Sequence, residues 1–306
     1  MQESIPNGVW PTMLTPLTDD LEVDYGALEE LIEWYIANKV DGLFAVCQSS
    51  EMFYLSLDER VKIAEFVVET AGGRVPVIAS GHISYGIDAQ AQEVKAIADT
   101  GVEAVVLVTN RMANDNQSDE VWKSNTEKIM QAAPEATFGL YECPHPYKRL
   151  LTPELMKWCA STERILFLKD TSCDLDEIEA KLKAIKGTNL KIFNANASTL
   201  LDSVKMGACG FSGVMANFHP ELYVWLMENW EDKPELAEEL QAFLGVSSLI
   251  ERQLYSTNAK YYLQLEGLNI GLASRGHSKR LASAEEWEVK QLRMLSKHYV
   301  RKLSIS

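Results

Sequence analysis

One lysine and one tyrosine stand where short apolar runs of this chain end. Ile165-Leu166-Phe167-Leu168 leads directly into Lys169-Asp170, placing an ammonium at the end of a strand-length run of apolar residues. Desolvation disfavours the charged form and lowers the pKa of a fully buried lysine by up to ~3–5. Such an amine attacks a ketone to form a Schiff base, and the protonated imine then withdraws electrons from the adjacent carbon. The same residues also fit a snorkelling strand-end lysine paired with Asp170. The preceding run, residues 137–141, ends in Tyr141, whose phenol could carry a proton to and from a substrate. A core tyrosine tied to a backbone carbonyl would read the same way.

Two further stretches have the composition of a binding loop. Cys47-Gln48-Ser49-Ser50-Glu51 follows an apolar run with small and polar side chains, where the chain must turn into a helix. The hydroxyls of Ser49 and Ser50, the Gln48 side chain and the N–H groups of that turn could hold a carboxylate, and a plain capping turn would use the same residues. Gly210-Phe211-Ser212-Gly213 ends another run with small residues, which either lets a substrate approach the backbone or serves tight packing. The histidines at 82, 145, 219, 277 and 298 have no ligand-like spacing, so no metal site is expected.

The elements that must position these groups follow one pattern. Strand-length apolar runs at 8–14, 42–46, 75–80, 104–108, 137–141, 165–169, 191–194 and 210–214 alternate with segments of helical period. Helices are expected at 25–38, 57–70, 88–100, 119–132, 153–159 and 174–185, two of them opened by Asp24 and by Thr152-Pro153. Eight such pairs predict a (β/α)8 TIM barrel, of class α/β, although an open doubly wound sheet shares the local pattern. No glycine-rich phosphate fingerprint follows the first run, which favours the barrel. Helices at 235–250, 255–268 and 284–300 then predict a division into a catalytic barrel, 1–230, and a C-terminal helical extension, 231–306. In a barrel of this kind reacting groups project from the C-terminal strand ends, where Lys169 and Tyr141 lie on neighbouring strands.

Composition narrows the partners. With 29 Lys+Arg against 44 Asp+Glu over 306 residues the formal charge is −15, a field that repels phosphate backbones and anionic lipids. Neither nucleic acid nor membrane is therefore expected as a partner. The five cysteines (47, 143, 159, 173 and 209) are scattered with no CxxC pair, and the opening MQESIPNGVW has no signal-peptide pattern. A cytoplasmic protein with free thiols is expected.

Taken together, these segments resemble the dihydrodipicolinate synthase and N-acetylneuraminate lyase superfamily of Schiff-base aldolases. The residues that carry the likeness are Gly42, Ser50-Glu51, Leu55-Ser56-Leu57-Asp58-Glu59-Arg60, Tyr141-Glu142-Cys143-Pro144, Leu168-Lys169-Asp170 and residues 210–217. The resemblance implies a barrel with a three-helix tail, assembled as a homotetramer. It implies that Lys169 forms an imine with pyruvate or another 2-oxo acid, that Tyr141 relays protons, and that the loop of Gln48 and Ser49 holds the carboxylate. No cofactor is needed for that chemistry. In the sugar-acid lyases the loop matching Asn194-Ala195-Asn196-Ala197 contacts hydroxyls of the aldehyde portion, so Asn194 and Asn196 join the candidates.

Two departures bear on the reaction. The stretch that supplies an intersubunit tyrosine in lysine-pathway synthases reads Thr109-Asn110-Arg111-Met112, and the position of their substrate-binding arginine is Pro146, with Lys148 and Arg149 nearby. Both argue against dihydrodipicolinate synthesis. The expectation is a class I lyase or aldolase that interconverts a 2-oxo acid with pyruvate and an aldehyde. Synthase-like condensation, dehydration or deamination through the same imine, and a non-catalytic 2-oxo acid binder are the alternatives.

Overall fold

The computed structural model describes residues 5–305. Eight parallel strands run β1 (Gly8–Val9), β2 (Leu43–Ala45), β3 (Val77–Ala79), β4 (Ala104–Val108), β5 (Phe138–Tyr141), β6 (Ile165–Asp170), β7 (Lys191–Asn194) and β8 (Gly210–Phe211). Their order is β1-β8-β7-β6-β5-β4-β3-β2. The ladder closes at Thr12, which bridges Phe44 in parallel, with Phe44 N–H donating to Pro11 O and Met13 N–H donating to Phe44 O. The fold is a (β/α)8 barrel. Each terminal strand is shorter than its apolar run, because the run continues past the last ladder bond into the loop at the barrel mouth.

Helices α1 (Tyr25–Ala37), α2 (Leu57–Ala71), α3 (Ile87–Ala98), α4 (Asp119–Met130), α5 (Pro153–Ser161), α6 (Leu175–Ala184), α7 (Leu200–Met206) and α8 (Pro220–Asn229) follow the strands in turn. Their starts are chemically specified. Asp24, Ser118, Thr152 and Asp174 each cap a first turn, and Ser56 with Glu59 forms a capping box on α2. Three helices follow: α9 (Pro234–Ser247), α10 (Thr257–Leu265) and α11 (Ser283–Lys302). The buried core runs without a break from the barrel into Leu240, Leu244, Tyr262 and Val289 of these last helices. No described helix is long and apolar enough to cross a membrane.

Inside the barrel, aromatic rings fill the space below the mouth. Phe167 stacks on Phe193 at 4.4 Å, and Trp10 meets both edge-on at 5.7 and 6.0 Å. Gly42 is required here, since a Cβ would fall 2.4 Å from the Trp10 ring. Gly210 answers to β1 in the same manner: a Cβ would sit 1.9 Å from the carbonyl oxygen of Gly8. The Gly210→Ala variant is expected to lose at least about 2 kcal/mol of stability by forcing the strands apart. A urea midpoint equal to that of the parent would show that the strands relax freely.

Candidate active site

Strand alternation decides which way each residue of the Tyr141 and Lys169 strands faces. Tyr141 and Lys169 are register partners across β5 and β6, and Asp170 is the partner of Asn194 on β7. Side chains on a strand alternate between faces, so Lys169 follows Phe167 into the barrel while Asp170 points to the helical layer. Glu142, directly after Tyr141, likewise reaches the helical side. There Lys181 of α6, fully buried, contacts Glu142 Oε1 and Asp170 Oδ2, each at 2.6 Å. The carboxylates are held further by Leu151 N–H and Thr171 N–H on Glu142 and by Ser172 on Asp170.

Asp170 is thus committed to Lys181, and the lysine beside it in sequence has no such partner. Among the described residues, no hydrogen bond or ion pair holds the Lys169 Nζ, which lies 4.5 Å from the Tyr141 ring centroid and 5.9 Å from that of Phe44. Burial lowers the Lys169 pKa, with Cys47, Cys143 and Glu251 opposing. This geometry removes the snorkelling, Asp170-paired alternative. The Tyr141 hydroxyl donates to Gln48 Oε1 at 3.1 Å, and Cys143 Sγ approaches the same oxygen at 3.4 Å. Burial, with Cys143 and Cys47 adding to it, keeps the phenol well above its ordinary pKa.

Lys169 and Tyr141 open into a cavity of about 780 Å³ at the barrel mouth, a size suited to a small-molecule ligand. Gln48, Ser49 and Asn196 share its wall. The loop after β2 presents two features useful for an anion. Ser49 Oγ lies 3.2 Å from Thr12 Oγ1, and the backbone N–H groups of Gln48 and Ser49 donate to no acceptor among the described residues. Asn196 Oδ1 accepts from Ser198 N–H at 2.7 Å, so the residue caps a turn while also facing the cavity.

Four expected contacts lie outside that wall. Asn194, aligned with Asp170, points to the helical layer, where its Nδ2 donates to Thr199 and Ser203 at 3.0 Å. Ser50 turns inward to bind Met13 O at 2.6 Å and receives Cys47 N–H, pinning the loop instead of facing it outward. Gly210 is used by the close approach of Gly8. Ser212 is fully buried, its N–H donating to Asn194 O. Of the two basic residues near Pro146, Lys148 lines the cavity, whereas Arg149 is spent on Asn114 O, Gln117 O and Asp119.

The C-terminal helical region adds groups that the sequence pattern did not mark. Helix α9 stops at Ser247, earlier than its apolar period suggests, and the 3-10 turn Ser248–Arg252 brings Glu251 to the cavity, with Tyr255 and His277 beside it. Tyr255 receives Asn217 Nδ2–H at 3.0 Å. This region is tied to the β2 loop by Glu51. One of its oxygens accepts from Arg275 N–H, Gly276 N–H and Ser274 Oγ at 2.7 to 3.0 Å, and the other faces Lys260 at 3.4 Å. Glu251 falls just past the helix expected at 235–250 and is followed by Arg252, so no local signal marks it.

A closed barrel with a lysine and a tyrosine at adjacent strand ends has the fold of the class I aldolases. The model of the dihydrodipicolinate synthetase family matches residues 5–293, and the chain belongs to that family. It is 27% identical over 209 residues to the 4-hydroxy-tetrahydrodipicolinate synthase of Clostridium perfringens, covering 68% of this chain and 70% of that one. Its fold is similar to that of a Ruminococcus gnavus sialic acid aldolase catalytic lysine mutant (TM-score 0.87, 21% identity, 97% of both chains). It is also similar to a prophage protein of the dihydrodipicolinic acid synthase family from E. coli K12, solved in complex with pyruvate. That match has a TM-score of 0.85 at 21% identity and covers 98% of this chain and 99% of that one.

The buried ion network yields a test of its own. Burial and the Asp170 charge push the Glu142 carboxyl up to about 7, against the pull of Lys181. Burial alone would weaken the Lys181 ammonium, but the two carboxylates outweigh it and raise its pKa. Removing that ammonium in Lys181→Met strands two buried carboxylates and is expected to cost about 3–5 kcal/mol. A carboxyl whose pKa is raised by folding binds its proton more tightly in the native state, so stability falls as pH climbs from the ordinary carboxyl range through 7. The loss in Lys181→Met should therefore be larger at pH 8 than at pH 5 in urea titrations. A loss under about 1 kcal/mol at both values would show that the network does not hold the strand ends.

Proposed function

We propose that the protein is a class I lyase or aldolase that interconverts a 2-oxo acid with pyruvate and an aldehyde through an imine on Lys169. The observation that carries this reading is the buried Lys169 amine, without a counter-ion among the described residues, facing a cavity beside the Tyr141 phenol. An amine needs its neutral form to attack a ketone, and burial favours that form. The free N–H groups of Gln48 and Ser49 and the Ser49 hydroxyl would receive the substrate carboxylate. Tyr141 would give and recover the proton needed as the carbinolamine loses water. Asn196 and Lys148 would face the aldehyde portion. The same reading takes the enzyme to be a cytoplasmic homotetramer, supported by the family and by five unpaired thiols.

Condensation of the lysine-pathway kind is the less favoured reaction. Residues 109–112 supply no phenol, and the Tyr147 hydroxyl nearby is held by Asn110 O and Ala113 O at 3.0 and 2.8 Å. Arg149, near Pro146, is engaged away from the cavity by Asn114 O, Gln117 O and Asp119 and does not take the place of the synthases' substrate-binding arginine.

Incubation with pyruvate and borohydride is expected to add one reduced pyruvate per chain, located on Lys169 by peptide mass, and to abolish turnover. An unmodified Lys169 at saturating pyruvate would overturn the mechanism. Tyr141→Phe is expected to lower kcat by about 10²–10⁴-fold while leaving the fold intact, a range typical for loss of a positioned acid or base. A kcat within threefold of the parent would remove Tyr141 from the proton path. Detection of an aldehyde product separates cleavage from dehydration or deamination.

A further inference from the structure

An imine alone does not complete the reaction. A proton must also leave or join the carbon next to it, and Tyr141 is a poor base for that step. Its hydroxyl donates to Gln48 Oε1, a carboxamide oxygen that accepts a hydrogen bond but cannot pass a proton on as a hydroxyl would. The phenol itself stays protonated far beyond neutrality. On the same cavity wall stands a carboxyl group with a different character. Glu251 is brought there by the 3-10 turn Ser248–Arg252, and among the described residues its side chain has no hydrogen-bond or ion-pair partner. The titratable groups that act on it or feel it are Lys169 of β6, Tyr223 of α8 and Tyr255 just beyond the turn.

We propose that Glu251 is a further catalytic residue, the base that moves the proton at the carbon adjacent to the Lys169 imine. This rests on the imine reading above. With pyruvate bound, the Glu251 carboxylate takes a proton from the methyl carbon. The C–H electron pair forms the C2=C3 bond, and the iminium π pair moves onto nitrogen, giving an enamine. In cleavage of a 4-hydroxy-2-oxo acid the carboxylate first takes the C4 hydroxyl proton. The O–H pair then forms the aldehyde C=O π bond, the C3–C4 pair becomes the C2=C3 bond, and the iminium π pair moves onto nitrogen. Glu251 then returns its proton to C3, and water hydrolyses the pyruvate imine. Burial pushes this carboxyl up to about 7, with the Lys169 charge opposing, so it exchanges protons near neutral pH.

The test uses the full-length enzyme and pyruvate alone, so the aldehyde need not be known. In D2O, the parent should exchange the methyl protons of pyruvate, followed by proton NMR, with a rate that rises with pH through about 7. Glu251→Gln should slow exchange at least about 100-fold and lose that pH limb, while borohydride trapping on Lys169 proceeds to the parental extent. Glu251→Asp should retain the limb and recover part of the rate. Exchange in Glu251→Gln within threefold of the parent, with the limb intact, would overturn the proposal. Failure of the parent itself to trap pyruvate would instead sink the imine reading, and this inference with it.

Discussion

Among the described residues Lys169 has no counter-ion, because the carboxylate beside it in sequence is claimed by Lys181 on the opposite face of the strand. That division of charge is the constraint from which the site follows. The two-residue period of a strand sends Phe167 and Lys169 inward and Asp170 outward, and the same period sends Tyr141 inward and Glu142 outward. One buried ammonium between two outward carboxylates then fixes the ends of both strands at once. It holds the amine and the phenol side by side without contributing a charge to the cavity. Were Asp170 free to reach Lys169, the ammonium would be stabilised and the neutral nucleophile suppressed.

The floor and the roof of the site act on the same amine from different distances. Beneath it, Phe44, Phe167, Phe193 and Trp10 form an aromatic layer that excludes water and gives desolvation its force. Above it, the C-terminal helical region supplies Glu251 and Tyr255, and the Glu51 latch ties that region to the loop of Gln48 and Ser49. Loop and extension therefore form one continuous wall. An acidic group placed there lowers the cost of a protonated imine while leaving the free amine desolvated.

Much of this architecture was legible in the sequence. The β4 and β7 runs have the bounds their apolar composition predicts, and Asp24 and Thr152 begin helices as their side-chain oxygens require. Lys169 and Tyr141 were accessible because each closes an apolar run. What the sequence could not supply was direction. Asn194 and Asn196 are equally polar, yet register with Asp170 turns the first toward Ser203 and leaves the second on the cavity. Ser49 and Ser50 divide similarly, since the tight turn after β2 sends one hydroxyl to the Met13 carbonyl. Glu251 lay hidden because its position depends on α9 ending at Ser247, where tertiary packing outweighs helical period.

A desolvated, unpaired Lys169 is the claim on which the chemistry stands, and its own ionisation tests that claim most directly. Reductive methylation with carbon-13 formaldehyde, followed by an NMR pH titration assigned through Lys169→Arg, reads it in the folded protein. The account predicts a midpoint for Lys169 clearly below that of the surface lysines. A midpoint equal to or above theirs would mean that the amine is solvated or paired, and would contradict it.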